Sequence, residues 1–364
     1  MTSHDRKNPD LVIIVTVLLL LGIGVVTVYS ASAIKAQVYG DSFYFAKRQL
    51  IWAVAGLGMM FFMMDFDYTR LKKWAKVIML SCFFLLIIVL TPLGVERNGT
   101  QGWLGIGSFG IQPSEAAKLG LIIFFAWYLE RYQDQIHEFK KGLLPPLGLM
   151  VLAVGLIMLE PDLGQSTVIA GTTLILIFAA GARVKHLLAL ASLAIPVFVA
   201  LVIVAPYRLK RIFAFLDPWK YELDAGYQII QSLYALGPGG LMGLGLGRSR
   251  QKFLYLPEPQ TDFIFAILAE ELGFIGGATV LILFLLLLWR GVRTAVTAKD
   301  TFGSLLAIGI TGMIAVQVII NIGVVTGSMP VTGITLPFIS YGGSSLLLML
   351  TGVGILLNIS RYSR

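Results

Sequence analysis

Six cations and one acid stand out in a stretch lying between two apolar runs. Arg208, Lys210, Arg211, Arg248, Arg250 and Lys252 bracket a glycine-rich segment, and the stretch closes on Pro257-Glu258-Pro259-Gln260-Thr261-Asp262. Guanidinium groups match phosphate oxygens in a bidentate fork. A fixed carboxylate can take a proton from an attacking hydroxyl. The combination fits transfer chemistry on a phosphate-bearing substrate. A connection of this length seldom serves only to join two elements.

Each part also has a plainer reading. The first half, Pro206-Tyr207-Arg208-Leu209-Lys210-Arg211 followed by Phe213, Phe215, Trp219, Tyr221, Tyr227 and Tyr234, has the mixture of aromatic and basic residues that anchors to lipid headgroups. If that piece is helical, Arg208 and Arg211 share a face. The run Gly237-Pro238-Gly239-Gly240-Leu241-Met242-Gly243-Leu244-Gly245-Leu246-Gly247 lacks the Gly-Lys-Ser/Thr ending of a P-loop. Its amides can form a nest for an anion, or the run is a flexible turn. Asp262 stands where a long apolar helix begins, so it is a candidate N-cap as well as a candidate base. Asp262→Asn separates the two, because it can cap but cannot accept a proton.

Composition fixes the setting of these residues. The chain has 364 residues, 57% of them hydrophobic and 13% charged, with a mean hydropathy of +0.83. Runs of about 20 apolar residues read as membrane-spanning helices, since lipid offers the backbone no hydrogen-bond partner. The only cysteine, Cys82, lies inside such a run, and His4, His137 and His186 fall in short polar segments. No disulfide framework or Cys/His metal cluster is expected.

The pattern predicts an all-α polytopic membrane protein with about ten spans, at roughly 11–31, 49–64, 75–92, 113–130, 143–159, 163–181, 187–205, 263–289, 303–325 and 337–358. One set of connections carries Arg6, Lys7, Arg70, Lys72, Lys73, Lys76, Arg131, Lys140, Lys141, Arg183, Lys185, Arg290, Arg293, Lys299, Arg361 and Arg364. The opposite short connections carry Lys35, Lys47, Arg48 and Arg97. The positive-inside rule then puts both termini in the cytoplasm and residues 206–262 outside, ahead of the eighth span. The net charge of +8 thus reports orientation rather than nucleic-acid binding. The expected organisation is one membrane domain over 1–364, with a cytoplasmic N-terminus (1–10), the large extracytoplasmic loop (206–262) and a cytoplasmic C-terminus (359–364). No internal repeat of the kind many transporters carry is visible.

Ionisable residues within or beside spans form a second group. Glu115 and Lys118, three apart on one helix, are placed to neutralise each other or to line a cavity. Asp162, after Glu160-Pro161, either faces that cavity or caps the sixth helix. Glu270 and Glu271 lie too deep for surface chemistry and are assigned to packing or coupling. The small residues of Ser340-Tyr341-Gly342-Gly343-Ser344-Ser345 favour close helix packing. Asn98-Gly99-Thr100 is a glycosylation sequon in form only.

Several of these segments resemble the shape, elongation, division and sporulation (SEDS) family, which spans FtsW, RodA and SpoVE proteins. They are Gln251 to Ala266, Tyr207-Arg208-Leu209-Lys210-Arg211, Gln112-Pro113-Ser114-Glu115, Glu160-Pro161-Asp162-Leu163-Gly164 and Pro337-Phe338-Ile339-Ser340-Tyr341-Gly342-Gly343-Ser344-Ser345. The likeness covers the whole chain and leans to the FtsW/SpoVE branch. It implies a peptidoglycan glycosyltransferase that polymerises lipid II, a disaccharide-pentapeptide on undecaprenyl diphosphate, at the outer face of the cytoplasmic membrane. It also implies a class B penicillin-binding protein as partner, and places the family's catalytic aspartate on Asp262. Inversion at the donor sugar then needs Asp262 as general base. Arg248, Arg250 and Lys252, with Arg208 and Arg211 further off, are expected on the leaving diphosphate. Glu115, Lys118 and Asp162 are expected in a cavity. The residues show no complete metal cage, and a divalent cation, Mg²⁺ or Mn²⁺, is the one cofactor that could assist at a diphosphate. A lipid II flippase and a non-catalytic scaffold for the penicillin-binding protein are the alternatives. The process served, whether division, elongation or spore formation, is not written in the motifs.

Overall fold

The computed structural model describes residues 7–97, 100–106, 109–190, 192, 196, 206–253 and 255–362, with backbone alone at 97, 106, 109 and 206–208. Helices dominate. In chain order they are α1 (Leu11–Ala36), α2 (Tyr44–Asp65), α3 (Thr69–Val89), α4 (Pro113–Arg131), α5 (Leu144–Leu159) and α6 (Leu163–Ala179). Then follow α7 (Pro206–Leu216), α8 (Tyr227–Gly239), α9 (Ile264–Val296), α10 (Thr301–Val325) and α11 (Gly343–Ser360). Among the described residues, five helical stretches are long and apolar enough to cross a membrane. They are Leu11–Tyr39, Phe139–Leu159, Ile264–Val296, Thr301–Val325 and Gly343–Ser360.

Eight of the expected spans coincide with helices α1 to α6, α9 and α10, with ends displaced by at most seven residues. The seventh, 187–205, lies mostly outside the described residues, although its helix begins at Val184. The last starts at Gly343 rather than 337, because Pro337 and a left-handed Phe338 (φ 65°) hold the preceding segment in a turn. The all-α expectation fails locally. Val95–Arg97, Thr100–Ile106 and Phe109–Ile111 form a three-stranded antiparallel sheet, β1-β2-β3, between α3 and α4. Its register pairs Val95 with Trp103 and Leu104 with Ile111. Polar and apolar residues alternate there over too few positions to read as a strand against neighbouring spans.

The long connection 206–262 is itself structured, by α7, a 3₁₀ turn at Pro218–Tyr221 and α8. After α8 the glycine-rich run folds back against α9. Phe274 donates its amide to the Gly240 carbonyl (2.8 Å), and the Leu244 amide donates to the Glu270 carbonyl (3.0 Å). That exchange requires α9 to break at Gly273 (φ 66°, ψ −166°). A Cβ on Gly273 would meet the Gly243 nitrogen at 2.3 Å, and one on Gly243 would meet the Glu271 carbonyl at 2.1 Å. Both glycines have positive φ, so each is needed for conformation and for close approach.

Packing rests on similar close approaches. α2 and α11 lie against each other where a Cβ on Gly354 would meet the Met60 carbonyl at 2.4 Å. Small residues at such contacts let helix backbones approach in lipid, where apolar burial alone gives no drive. The first turns of α9 are buried all round, from Phe263 through Leu268. They are a rigid mount for the residue just before them, Asp262.

Candidate active site

A cavity of about 320 Å³ opens among the start of α4, the α5–α6 connection, α7, the end of the 206–262 segment and the loop before α11. Asp262 lies on its wall. With it are Glu115 and Asp162, and Arg211 from α7. The structure thereby assembles four of the expected residues from points far apart in the sequence. Gln112, Glu258, Trp103 from β2 and Tyr341 complete much of the polar and aromatic wall.

Asp262 is not a helix cap. The N-cap of α9 is Phe263, which makes no side-chain cap bond, and the helix follows at Ile264. The carboxyl is instead turned toward the cavity wall, where Gly333 would bring a Cβ to 3.7 Å from Oδ2. Its backbone is fixed from behind. Asn321 of α10 donates from one side-chain nitrogen to the Asp262 carbonyl (2.8 Å) and to the Ile334 carbonyl (2.7 Å). One turn of chain away, Ser340 donates its hydroxyl to the Thr261 carbonyl (2.6 Å), and the Tyr341 amide donates to the Gln260 carbonyl (2.9 Å). The loop 330–342 and α10 thus clamp the peptide that carries the carboxylate.

Burial raises the Asp262 pKa to about 7 from an ordinary 3.8, the charges of Glu258 and Asp162 add to the rise, and Arg211 opposes it. Its surface stays partly accessible through the cavity. A carboxyl poised near neutrality is suited to proton abstraction at physiological pH. Asp162 is also raised, by burial first, while the amide of Gln165 holds it down. It performs both expected roles: its Oδ1 accepts from the Gln165 amide at 2.9 Å, capping α6, and it lines the cavity. Glu160 beside it is almost fully buried, and burial followed by the charge of Asp162 pushes it up to about 8.

Glu115 and Lys118 form a buried ion pair at 2.8 Å, with Gln165 donating to Glu115 at 2.7 Å. Glu115 reaches the cavity, whereas Lys118 sits one turn further along α4. Glu258 has left-handed backbone (φ 48°), and its carboxylate pairs with Lys35 and accepts from Gln260 at 2.8 Å. Strained non-glycine backbone of this kind costs of order 1–3 kcal/mol and tends to mark functional walls. Sequence reasoning passed over Glu258, Gln112, Trp103 and Asn321. Only Glu258 and Gln112 gave a signal, by lying inside the quoted motifs.

Three expected cations are elsewhere. Arg248, Arg250 and Lys252 are not part of the cavity wall. The amides of the glycine-rich run meet backbone carbonyls, Leu244 donating to Glu270 (3.0 Å) and Gly245 to Glu271 (3.0 Å), and an anion nest forms only just after the run, around the chain's own carboxylates. The Ser249 amide donates to Glu271 (3.2 Å), and the amides of Arg250 (2.9 Å) and Gln251 (3.4 Å) donate to Glu270. Lys252, buried, pairs with Glu271 at 3.3 Å, and Ser30 of α1 donates to the same carboxylate at 2.6 Å. Arg248 and Arg250 are exposed. The Arg208 side chain lies outside the described residues. Glu270 and Glu271 therefore couple the loop to α9 and α1. Among the described residues, no three of His, Cys, Asp and Glu come close enough to hold a metal ion. A hard cation here would have to complete its oxygen shell from substrate and water.

Comparison with known proteins gives the family. The family model described as "Cell cycle protein", covering FtsW, RodA and SpoVE, matches residues 10–364. The chain is 58% identical to stage V sporulation protein E of Bacillus subtilis (strain 168) over the full length of both. It is 42% identical to the probable peptidoglycan glycosyltransferase FtsW of Geobacter sp. (strain M18), covering 98% of this chain and 97% of that one. A chain from a solved peptidoglycan synthase complex superposes with a TM-score of 0.81 at 33% identity, covering 97% of this chain and 98% of that one. RodA of Thermus thermophilus, a rod shape determining protein, superposes with a TM-score of 0.72 at 30% identity, covering 98% of each chain. With apolar helices throughout and a match over nearly its whole length, the chain is a multi-pass membrane protein that belongs to the FtsW/RodA/SpoVE (SEDS) family.

Proposed function

We propose that this chain is a peptidoglycan glycosyltransferase that polymerises lipid II, with Asp262 as general base. The reading rests most on one observation: the partly accessible carboxyl of Asp262, raised to about 7, on the wall of a cavity it shares with Arg211. Relatives named as peptidoglycan glycosyltransferases support the activity. The acceptor 4-hydroxyl gives its proton to Asp262 as its oxygen bonds to C1 of the donor sugar. The C1–O bond to the lipid diphosphate breaks, and the diphosphate leaves with the electron pair. One in-line displacement inverts the anomeric centre. General-base catalysis of this kind supplies about 100- to 10,000-fold.

Arg211 is the described cation best placed to meet the departing diphosphate, and a guanidinium fork suits that task. Lys252 takes a positioning role through Glu271. Arg248 and Arg250, exposed on the same connection, are assigned to lipid phosphates at the membrane surface. Glu115 and Asp162 offer acceptors to sugar hydroxyls. In this reading the ten-span layout has both termini in the cytoplasm and the 206–262 segment outside, so the cavity opens where lipid II is presented. A class B penicillin-binding protein crosslinks the product.

The test is polymerisation of labelled lipid II by the purified chain, with its partner's transpeptidase serine replaced. Loss of polymer in Asp262→Ala supports the enzyme. Lipid translocation without polymer in the wild type would make it a flippase. Undiminished wall assembly with Asp262→Ala would leave a scaffold.

A further inference from the structure

At the far end of the bundle from Asp262, a second cavity of about 360 Å³ opens between the start of α1 and the last turns of α9. Lys7, Arg290 and Arg293 line it against a single carboxylate, Asp10. That carboxylate is committed. It accepts from Arg290 Nε at 2.7 Å, and it caps α1 through the amides of Val12 (3.0 Å) and Ile13 (3.4 Å). The Thr294 and Thr297 hydroxyls donate back to their own helix, to the carbonyls of Arg290 (3.0 Å) and Arg293 (2.8 Å). The net character of the cavity is therefore cationic, with Arg293 exposed at its rim.

The rim is also apolar. Leu11 on its wall is 66% exposed, Trp289 and Val296, chain neighbours of the lining residues Arg290 and Thr297, are 58% and 80% exposed, and the Arg290 guanidinium lies 5.5 Å from the Trp289 ring centre. A site for a soluble anion has no use for such a flank. A phospholipid uses both parts, with its phosphate among the cations and its chains along α1 and α9. Exposed tryptophan marks the headgroup level of a span, and basic pockets between spans hold anionic headgroups.

We propose that this cavity binds the headgroup phosphate of an anionic phospholipid, clasping α1 to α9. The inference does not depend on the glycosyl-transfer reading. The test is native mass spectrometry of the full chain, equilibrated with equal amounts of phosphatidylglycerol and phosphatidylcholine. Retention of one phosphatidylglycerol in preference to phosphatidylcholine is expected. Arg293→Glu should reduce that retention about tenfold or more, with an unchanged melting temperature, since Arg293 is exposed. Equal retention of the two lipids, or full retention by Arg293→Glu, would overturn the proposal. So would displacement of the lipid by millimolar inorganic phosphate, which would identify a soluble-anion site.

Discussion

The side-chain nitrogen of Asn321 lies 2.8 Å from the backbone carbonyl of Asp262, and the same nitrogen reaches the Ile334 carbonyl at 2.7 Å. One buried amide on α10 therefore ties the acid-bearing peptide to the loop that forms the opposite part of the cavity. Asn321→Leu removes both bonds and leaves two carbonyls unsatisfied, at roughly 1–3 kcal/mol each. Displacing a catalytic group by about 1 Å can cost 100-fold. The expected result is a fall in kcat of about 10- to 100-fold with little change in KM. Steady-state polymerisation kinetics on a folded fraction measures it, and the pH midpoint should stay where it is in the wild type.

The pH dependence follows from the surroundings of Asp262. The base must be ionised, so polymerisation should rise through a midpoint near 7 and level off above it. Asp162→Asn removes a repelling charge while preserving the cap on α6, so the midpoint should fall. Arg211→Gln removes an attracting charge, so it should rise. Rate profiles from pH 5 to 9 check all three directions.

Stability runs the other way. The carboxyl is raised above its ordinary 3.8, so the folded state holds the proton more tightly than the unfolded state. That contribution is fully present below 3.8 and is lost as pH rises through 7. Asp262→Asn should therefore melt higher than wild type at pH 8 and nearly alike at pH 4, while being inactive. Thermal unfolding in detergent at the two pH values provides the comparison.

The internal anion nest makes its own prediction. Glu271→Gln leaves Lys252 buried without its counter-charge, a change that typically costs about 3–5 kcal/mol. Glu271→Gln with Lys252→Met should recover much of that stability, because the stranded charge is gone. Melting temperatures of the two single variants and the double variant measure the coupling.

Much of this arrangement is readable from the chain. Apolar runs located eight helices to within seven residues because lipid permits little besides a helix. Asp262, Glu115 and Asp162 stood out as carboxylates at or inside span ends, where charge is costly and needs a reason. The fate of the glycine-rich run was not readable. Its own amides meet the backbone carbonyls of Glu270 and Glu271, and the amides that bind their carboxylates, those of Ser249, Arg250 and Gln251, follow the run, about 20 residues before those acids. The nest therefore looked like a diphosphate site. Asn321 and Trp103 were missed because their roles come from tertiary contact: one from an amide near the end of α10, the other from a three-stranded sheet too short to announce itself.

The central assertion is that the carboxyl of Asp262 removes the acceptor proton. The most direct measurement compares wild type with Asp262→Asn in purified complex with a transpeptidase-dead partner, at pH 8, on labelled lipid II. The account predicts a loss of polymer of at least about 100-fold, with the variant folded and still binding lipid II. Polymer formed by Asp262→Asn at the wild-type rate would contradict it.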